Sequence, residues 1–474
     1  MRSRTIVATL VPLVVLMGVG GYAYADAQDV VPGWITTSAA PLAPAPFLTA
    51  THVTAGDAPG TPVRPLLDAS APEPDASTLR DLAQALRDDP RTGTSTNVSV
   101  IDLITGDVLV DLDAADGQVP ASTTKLLTAI AAVSTLGPDA TLATVARYDP
   151  DRTEVSLVAG GDMLLAADAG TGDGAVGYAG LGDLADQVAS ALAARGITAV
   201  NVSVDTSQFP GPAYPSEWPA YALSSGYAAP VQGLAINVGR KTDDDYAARW
   251  PDPAANAADV FAQRLTDRGI TATRVGTRDA STGDQVGRVE SAPLSAVATY
   301  MLHASDNSVA EDLSRVLALA TGHQAVPAQA TEAVRAALAT LGVDTAGLQL
   351  YDGAGFSARN RVPPQVLTSA IRAASQAEPT HELLGWLAEA GLTGTLDNRF
   401  ISTPGAGVVR AKTGSLTGVT ALAGVVLTQD GRPLAFAVLA DGMAYGQDRP
   451  TDAIDSFADA LAQCGCGGSP TGTS

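Results

Sequence analysis

Lysine is nearly missing from this sequence: it stands only at Lys125, Lys241 and Lys412 among 474 residues, while arginine supplies the rest of the 28 basic side chains. A guanidinium stays charged, whereas a desolvated lysine amine can shed its proton, so these three lysines are the cations to inspect for chemistry. Histidine occurs four times, scattered, and no His-Glu-x-x-His run is present, which leaves a metallopeptidase without its ligands. The Gly-x-Ser-x-Gly elbow of many Ser-His-Asp hydrolases is absent as well. Cysteine is confined to Cys464 and Cys466, too few for a disulfide framework and with no histidine nearby to complete a metal site; in an oxidising compartment the two could close a small strained loop or link two chains. Positive charge is scarce overall. The formal net charge of -22 repels phosphate backbones and disfavours nucleic acid as a partner, so any anionic ligand needs a local basic pocket.

What remains is an alanine- and valine-rich chain, 46% hydrophobic with 5% aromatics, long enough for two or more domains. Arg2 and Arg4 precede an apolar stretch from Ile6 to Gly21 and then Ala23-Tyr24-Ala25, the pattern of an export signal or membrane anchor over residues 1–25. The expected location is therefore extracytoplasmic, secreted or held at the outer face of the cytoplasmic membrane. Residues 26–76 are rich in Pro and Ala and read as an extended spacer.

Apolar periodicity predicts a helix from Thr78 to Asp88, a hairpin of Asn97–Leu103 and Asp107–Leu112, and a buried helix from Thr123 to Leu136 stopped by Gly137-Pro138. Near the other end, strands are predicted at Val408–Lys412, Val419–Leu427 and Leu434–Leu439, with a closing helix from Thr451 to Gln463. Strands from both ends imply an α+β fold: one antiparallel sheet flanked by helices and built from two separated segments, 77–138 and 290–466. Residues 139–289 read as a large inserted domain, with a helix near Leu184–Arg195 and a strand near Ala199–Asp205, and 467–474 as a flexible tail.

Three short motifs carry chemistry. Ser122 and Lys125, three apart at the start of a helix, place a hydroxyl and an amine one turn apart on one face. Serine needs a neighbouring base to become a nucleophile, and a desolvated amine supplies one, while the helix N-terminus offers N–H groups to an oxyanion. Ser305-Asp306-Asn307 precedes a helix predicted from Ser308 to Ala320; Ser305 suits a proton relay and Asn307 a contact to substrate backbone, against the plainer role of an N-cap. Lys412-Thr413-Gly414-Ser415 is expected at a strand end, with Lys412 and Thr413 attracting a carboxylate, Gly414 admitting a ligand backbone and the Ser415 N–H serving the oxyanion. Ser95-Thr96-Asn97 also fits Ser-x-Asn but precedes Ser122, so order and context exclude it. Ser-x-x-Lys, Ser-Asp-Asn and Lys-Thr-Gly in this order form the set shared by penicillin-binding proteins and class A β-lactamases.

Further stretches extend the likeness. Pro120-Ala121-Ser122-Thr123-Thr124-Lys125-Leu126-Leu127-Thr128, Tyr351-Asp352-Gly353-Ala354-Gly355-Phe356-Ser357 and Gly394-Thr395-Leu396-Asp397-Asn398-Arg399-Phe400 resemble segments of the low-molecular-mass penicillin-binding proteins of the DacB/PBP4 type, serine peptidase family S13. The likeness runs from about Ser77 onward and includes a long insertion between the first two motifs. It implies a penicillin-binding serine transpeptidase/β-lactamase-like fold and a hydrolase, without cofactor or metal, that cleaves D-alanyl-D-alanine in peptidoglycan stem peptides and in some members cross-links. It also implies that β-lactam antibiotics acylate Ser122. On that reading Ser122 is the nucleophile, Lys125 its base, Ser305 the relay, Asn307 a substrate contact, and Lys412 with Thr413 the carboxylate site. Ala354 and Phe356 replace the family's usual Ser and Leu, and Ser415 stands where threonine is commoner. Two other readings stay open: a class A-like β-lactamase, which needs a further glutamate, and a non-catalytic cell-wall scaffold that keeps the fold.

Overall fold

The computed structural model describes residues 70–278 and 282–465, so the export segment, most of the spacer, Cys466 and the tail lie outside the described residues. In chain order the first third holds α1 (Ala76–Arg87), β1 (Ser95–Asp102), β2 (Val108–Leu112), α2 (Thr124–Leu136), β3 (Ala143–Asp149), β4 (Glu154–Val158) and β5 (Asp162–Leu165). Then come α3 (Leu181–Ala193), β6 (Ala199–Asp205), β7 (Leu234–Ile236), α4 (Pro253–Asp267), β8 (Thr271–Thr277), β9 (Asp284–Glu290), α5 (Leu294–Ala304) and α6 (Asn307–Ala320). The chain ends in α7 (Pro327–Thr340), α8 (Pro364–Gln376), α9 (Leu383–Trp386), β10 (Ala388–Glu389), β11 (Val409–Leu416), β12 (Val419–Leu427), β13 (Pro433–Asp441) and α10 (Pro450–Gln463).

The two ends of the chain meet in one antiparallel sheet of order β10-β11-β12-β13-β1-β2, in which Ser99 of β1 faces Ala437 of β13. Both β12 and β13 are buried along nearly their whole length, as strands covered on both faces must be. Their alternate residues divide between two cores. Ala421, Ala423, Ala437 and Leu439 pack toward α8 in the core that also holds α2, and Leu422, Val426, Phe436 and Val438 pack toward α1 and α10. Truncating Phe436 to Ala would open a cavity at a cost of about 3–5 kcal/mol. Helix α2 is apolar all round, and Thr124 to Val133 are buried without a break, so it forms the centre of the first core. Gly137, at φ 91, ends it as expected.

The segment after α2 carries a second sheet of order β8-β6-β4-β3-β9, with β4, β6 and β8 parallel and β3 antiparallel to both β4 and β9. Helices α3 and α4 supply the crossovers that parallel strands require, and Leu184, Val188, Phe261 and Leu265 fill the space beneath. Not all of this segment keeps to itself. Trp218, Ala222, Ala229, Val231 and Val238 pack into the same core as α2. The last residues of the spacer are packed as well: the buried Ala71 accepts a hydrogen bond through its carbonyl from Arg432 at 2.8 Å. Among the described residues no helix is long and apolar enough to cross a membrane.

Candidate active site

Ser122 lies in a 3-10 turn, Ala121–Thr123, that feeds into α2. Ala121 is held at φ 47, a left-handed conformation that costs a non-glycine residue on the order of 1–3 kcal/mol and persists only where the surroundings enforce it. Two glycines let those surroundings close in. A Cβ on Gly355 would stand 1.8 Å from the Ala121 carbonyl oxygen, and one on Gly414 would stand 2.7 Å from that of Pro120. The glycine of Lys-Thr-Gly is thus explained by packing beneath the turn that carries Ser122, where the sequence pointed to approach of a ligand.

The amine of Lys125 is fully buried and sits 2.9 Å from Ser122 Oγ, 2.7 Å from Asn307 Oδ1 and 2.8 Å from the Ala354 carbonyl oxygen. The last two can only accept, because the Asn307 amide nitrogen is committed to the Tyr227 carbonyl at 2.9 Å. A neutral amine has two N–H donors and one lone pair. Asn307 and Ala354 take the donors, so the lone pair is left for the Ser122 hydroxyl proton. Burial lowers the pKa of Lys125 to about 7, while the carboxylates of Asp352 and Asp306 act in the opposite direction.

The Ala354 carbonyl is aimed by a tight loop folded around Asp352. One carboxylate oxygen accepts from the backbone N–H groups of Ala354, Gly355 and Phe356 at 2.9, 2.5 and 3.2 Å. The other accepts from Ser357 N at 2.6 Å and the Trp218 indole at 3.0 Å. The sequence marked this loop by resemblance alone and assigned it no contact. An aspartate followed by two closely spaced glycines in an apolar stretch is the signal of such a carboxylate-centred turn.

Asp306 is the N-cap of α6, accepting from Ser308 N and Val309 N at 2.9 and 3.2 Å, so the cap expected of this motif is real and leaves its neighbours free for the cleft. Ser305 is held at φ 53 and lines the same cleft as Ser122, Asn307, Thr413 and Ser415, a cavity of about 820 Å³. The third motif lies inside β11, which continues in register to Leu416, instead of at a strand end. β10 pairs with β11 only at Arg410 and Ala411, so beyond them this edge of β11 has no strand beside it among the described residues. That edge can take an extended peptide as an added strand.

Lys412 is placed differently from a solvated carboxylate ligand. Its side chain is fully buried below the cleft, donating to the Thr413 carbonyl at 3.0 Å. Burial, with the nearby charges of Lys125 and Arg399, pushes its pKa well below the usual lysine range. Thr413 and Ser415 are the members of this motif that reach the cavity, and the Thr413 hydroxyl donates to that of Thr395 at 2.9 Å. Among the described residues Cys464 has no disulfide partner; it is half-buried, and burial raises its thiol pKa. No cluster of three or more metal-ligating side chains occurs among the described residues.

Comparison with known proteins shows the family and the fold. The model of the family described as D-Ala-D-Ala carboxypeptidase 3 (S13) matches residues 78–244 and 240–464. The carboxypeptidase DacB of Mycolicibacterium smegmatis is 36% identical over 414 residues, covering 85% of this chain and 87% of that protein. A D-alanyl-D-alanine carboxypeptidase of an Actinomadura species is 30% identical, covering 84% and 88%. Among solved structures, penicillin binding protein 4 (DacB) of Haemophilus influenzae superimposes with a TM-score of 0.66 at 21% identity, over 81% of this chain and 98% of that one, which shows the shared fold.

Proposed function

The chain belongs to the D-Ala-D-Ala carboxypeptidase S13 family, and from that membership and the geometry at Ser122 we infer that it is a serine-type D-alanyl-D-alanine carboxypeptidase acting on peptidoglycan stem peptides. The observation that carries the mechanism is the amine of Lys125, 2.9 Å from Ser122 Oγ with its other two hydrogen-bond directions already taken. Ser122 Oγ attacks the carbonyl carbon between the two D-alanines as its proton passes to Lys125. The backbone N–H groups of Ser122 and Ser415 are the donors proposed for the oxyanion. Collapse of the intermediate breaks the peptide bond, and the leaving nitrogen takes a proton from Lys125 through Ser305, which releases D-alanine and leaves the ester on Ser122. Water then cleaves the ester. Asn307 holds the peptide backbone on the acyl side. The substrate's terminal carboxylate meets Thr413 and Ser415, with Lys412 behind them holding the Thr413 carbonyl.

A β-lactam presents to Ser122 a strained amide in place of the scissile one and leaves a slowly hydrolysed ester, so such drugs are expected to inhibit. The 820 Å³ cleft and the open edge of β11 also admit an endopeptidase reaction on a cross-linked peptide. Arg2, Arg4, the Ile6–Gly21 stretch and the location of the substrate together support action outside the cytoplasm. The direct test is D-alanine release from a diacyl-lysyl-D-alanyl-D-alanine peptide by the wild type and by Ser122→Ala. Release abolished in a folded variant supports the assignment, and undiminished release refutes it.

A further inference from the structure

The segment between the first two motifs touches the second motif at several points. Asn307 donates to the Tyr227 carbonyl, and Ser308 Oγ accepts from Ala229 N at 2.7 Å. Two arginines of the same segment converge on one oxygen of Asp306, with Arg240 Nη2 at 3.5 Å and Arg249 Nη2 at 3.6 Å from Oδ2. The other oxygen of Asp306 is the cap of α6. The assembly is nearly dry: the side chains of Asp306 and Arg249 are each 3% exposed and that of Arg240 is 14% exposed. Both guanidinium groups are fixed independently of Asp306. Arg240 donates to Asn237 Oδ1 and to the Tyr300 hydroxyl, each at 3.0 Å. Arg249 donates to the Gly226 carbonyl at 2.9 Å and to the Val238 carbonyl at 3.3 Å.

A buried carboxylate next to a catalytic amine favours the charged form of that amine, the wrong form for a base. Lys125 is faced by Asp306 from the turn before α6, by Asp352 from its loop and by Lys412 from β11. Asp306 in turn is faced by Arg240, Arg249 and Tyr300, and Arg240 also by Asp245. We propose that Arg240 and Arg249 are positioning residues: they clamp Asp306, hold the Ser305–Asn307 turn in shape, and offset the negative charge that Lys125 would otherwise meet. The inserted segment is then part of the catalytic apparatus as well as a wall of the cleft. The proposal rests on Lys125 being the base for Ser122.

The test is the pH dependence of Ser122 acylation by benzylpenicillin in the full-length enzyme, comparing the wild type with Arg240→Met, Arg249→Met, Arg249→Lys, Asp306→Asn, and Asp306→Asn combined with each methionine variant. Removing either arginine is expected to move the acid limb to higher pH by about one unit, a loss of roughly tenfold at pH 6 that closes by pH 9. Arg249→Lys is expected to keep the limb, and adding Asp306→Asn to either methionine variant is expected to return it to the wild-type position or below. A uniform loss at every pH, or a shifted limb that Asp306→Asn leaves in place, would overturn the proposal. Arg240 is the less buried of the two, so its variant carries the test if Arg249→Met fails to fold. A wild-type enzyme acylated at Ser122 with no acid limb would sink the assignment of Lys125 as base, a result distinct from failure of the clamp.

Discussion

Acylation of Ser122 is expected to speed up as pH rises through about 7. Lys125 must be neutral to accept the Ser122 proton, and a pKa lowered by burial to about 7 makes the neutral form dominant only above that value. On a simple titration about half the enzyme is competent at pH 7, roughly a tenth at pH 6 and roughly a hundredth at pH 5, so the rate should fall about 50-fold between pH 7 and 5. The assay is stopped-flow acylation by excess fluorescent penicillin at constant ionic strength, read as a single exponential before deacylation. Lys125→Arg gives the complementary arm, since a guanidinium keeps its proton, and the loss should be on the order of 10²–10⁴-fold at every pH. A rate constant that is flat from pH 5 to 8, or a limb centred near the ordinary lysine pKa of 10.5, would refute the reasoning.

The same burial has a consequence for stability. Because the folded pKa of Lys125 is lowered, the unfolded chain holds the extra proton between about 7 and 10.5, and stability rises with pH across that window. Lys125→Met should therefore stabilise the fold, by up to about 4 kcal/mol near pH 7 and under about 1 kcal/mol near pH 10, as read from urea midpoints at the two pH values; equal gains would contradict this. Gly414→Ala should displace the Pro120–Ser122 turn, since a Cβ would meet the Pro120 oxygen at 2.7 Å, and slow acylation by about 10²-fold while circular dichroism stays unchanged. Asp102 is fully buried and accepts from Arg432 Nε at 2.6 Å, so Asp102→Ala removes the nearer of two carboxylates at that guanidinium, leaving Glu73 at 3.2 Å, and should cost about 1.5–3 kcal/mol in chemical denaturation, with little effect on acylation per folded molecule.

The sheet was legible because its signals are local. Apolar runs at Val419–Leu427 and Leu434–Leu439 and the hairpin before Ser122 each lie within one short stretch of chain, and the observed strands depart from expectation by a residue or two. β11 is the exception, extending to Leu416 because Gly414 and Ser415 keep their pairing with Ala421 and Thr420. The pairing of Ser122 with Lys125 was legible from helical spacing. The burial of Lys412 was not, because nothing around it in the chain distinguishes a solvated amine from one sealed beneath a strand. The contacts of Asp306 with Arg240 and Arg249, and of Asp352 with Trp218, join residues far apart in the chain and exist only once the segment between the motifs has folded against α6. The parallel pairing of β4, β6 and β8 was hidden for the same reason.

The central claim is that Ser122 forms a covalent acyl-enzyme, and intact-mass spectrometry after incubation with benzylpenicillin, followed by peptide mapping, tests it most directly. A mass gain of one drug molecule located on the peptide containing Ser122, absent in Ser122→Ala, is the expected result. Folded protein that neither gains the adduct nor hydrolyses the drug would contradict it and restore the scaffold reading, and rapid drug hydrolysis without a lasting adduct would point to a β-lactamase.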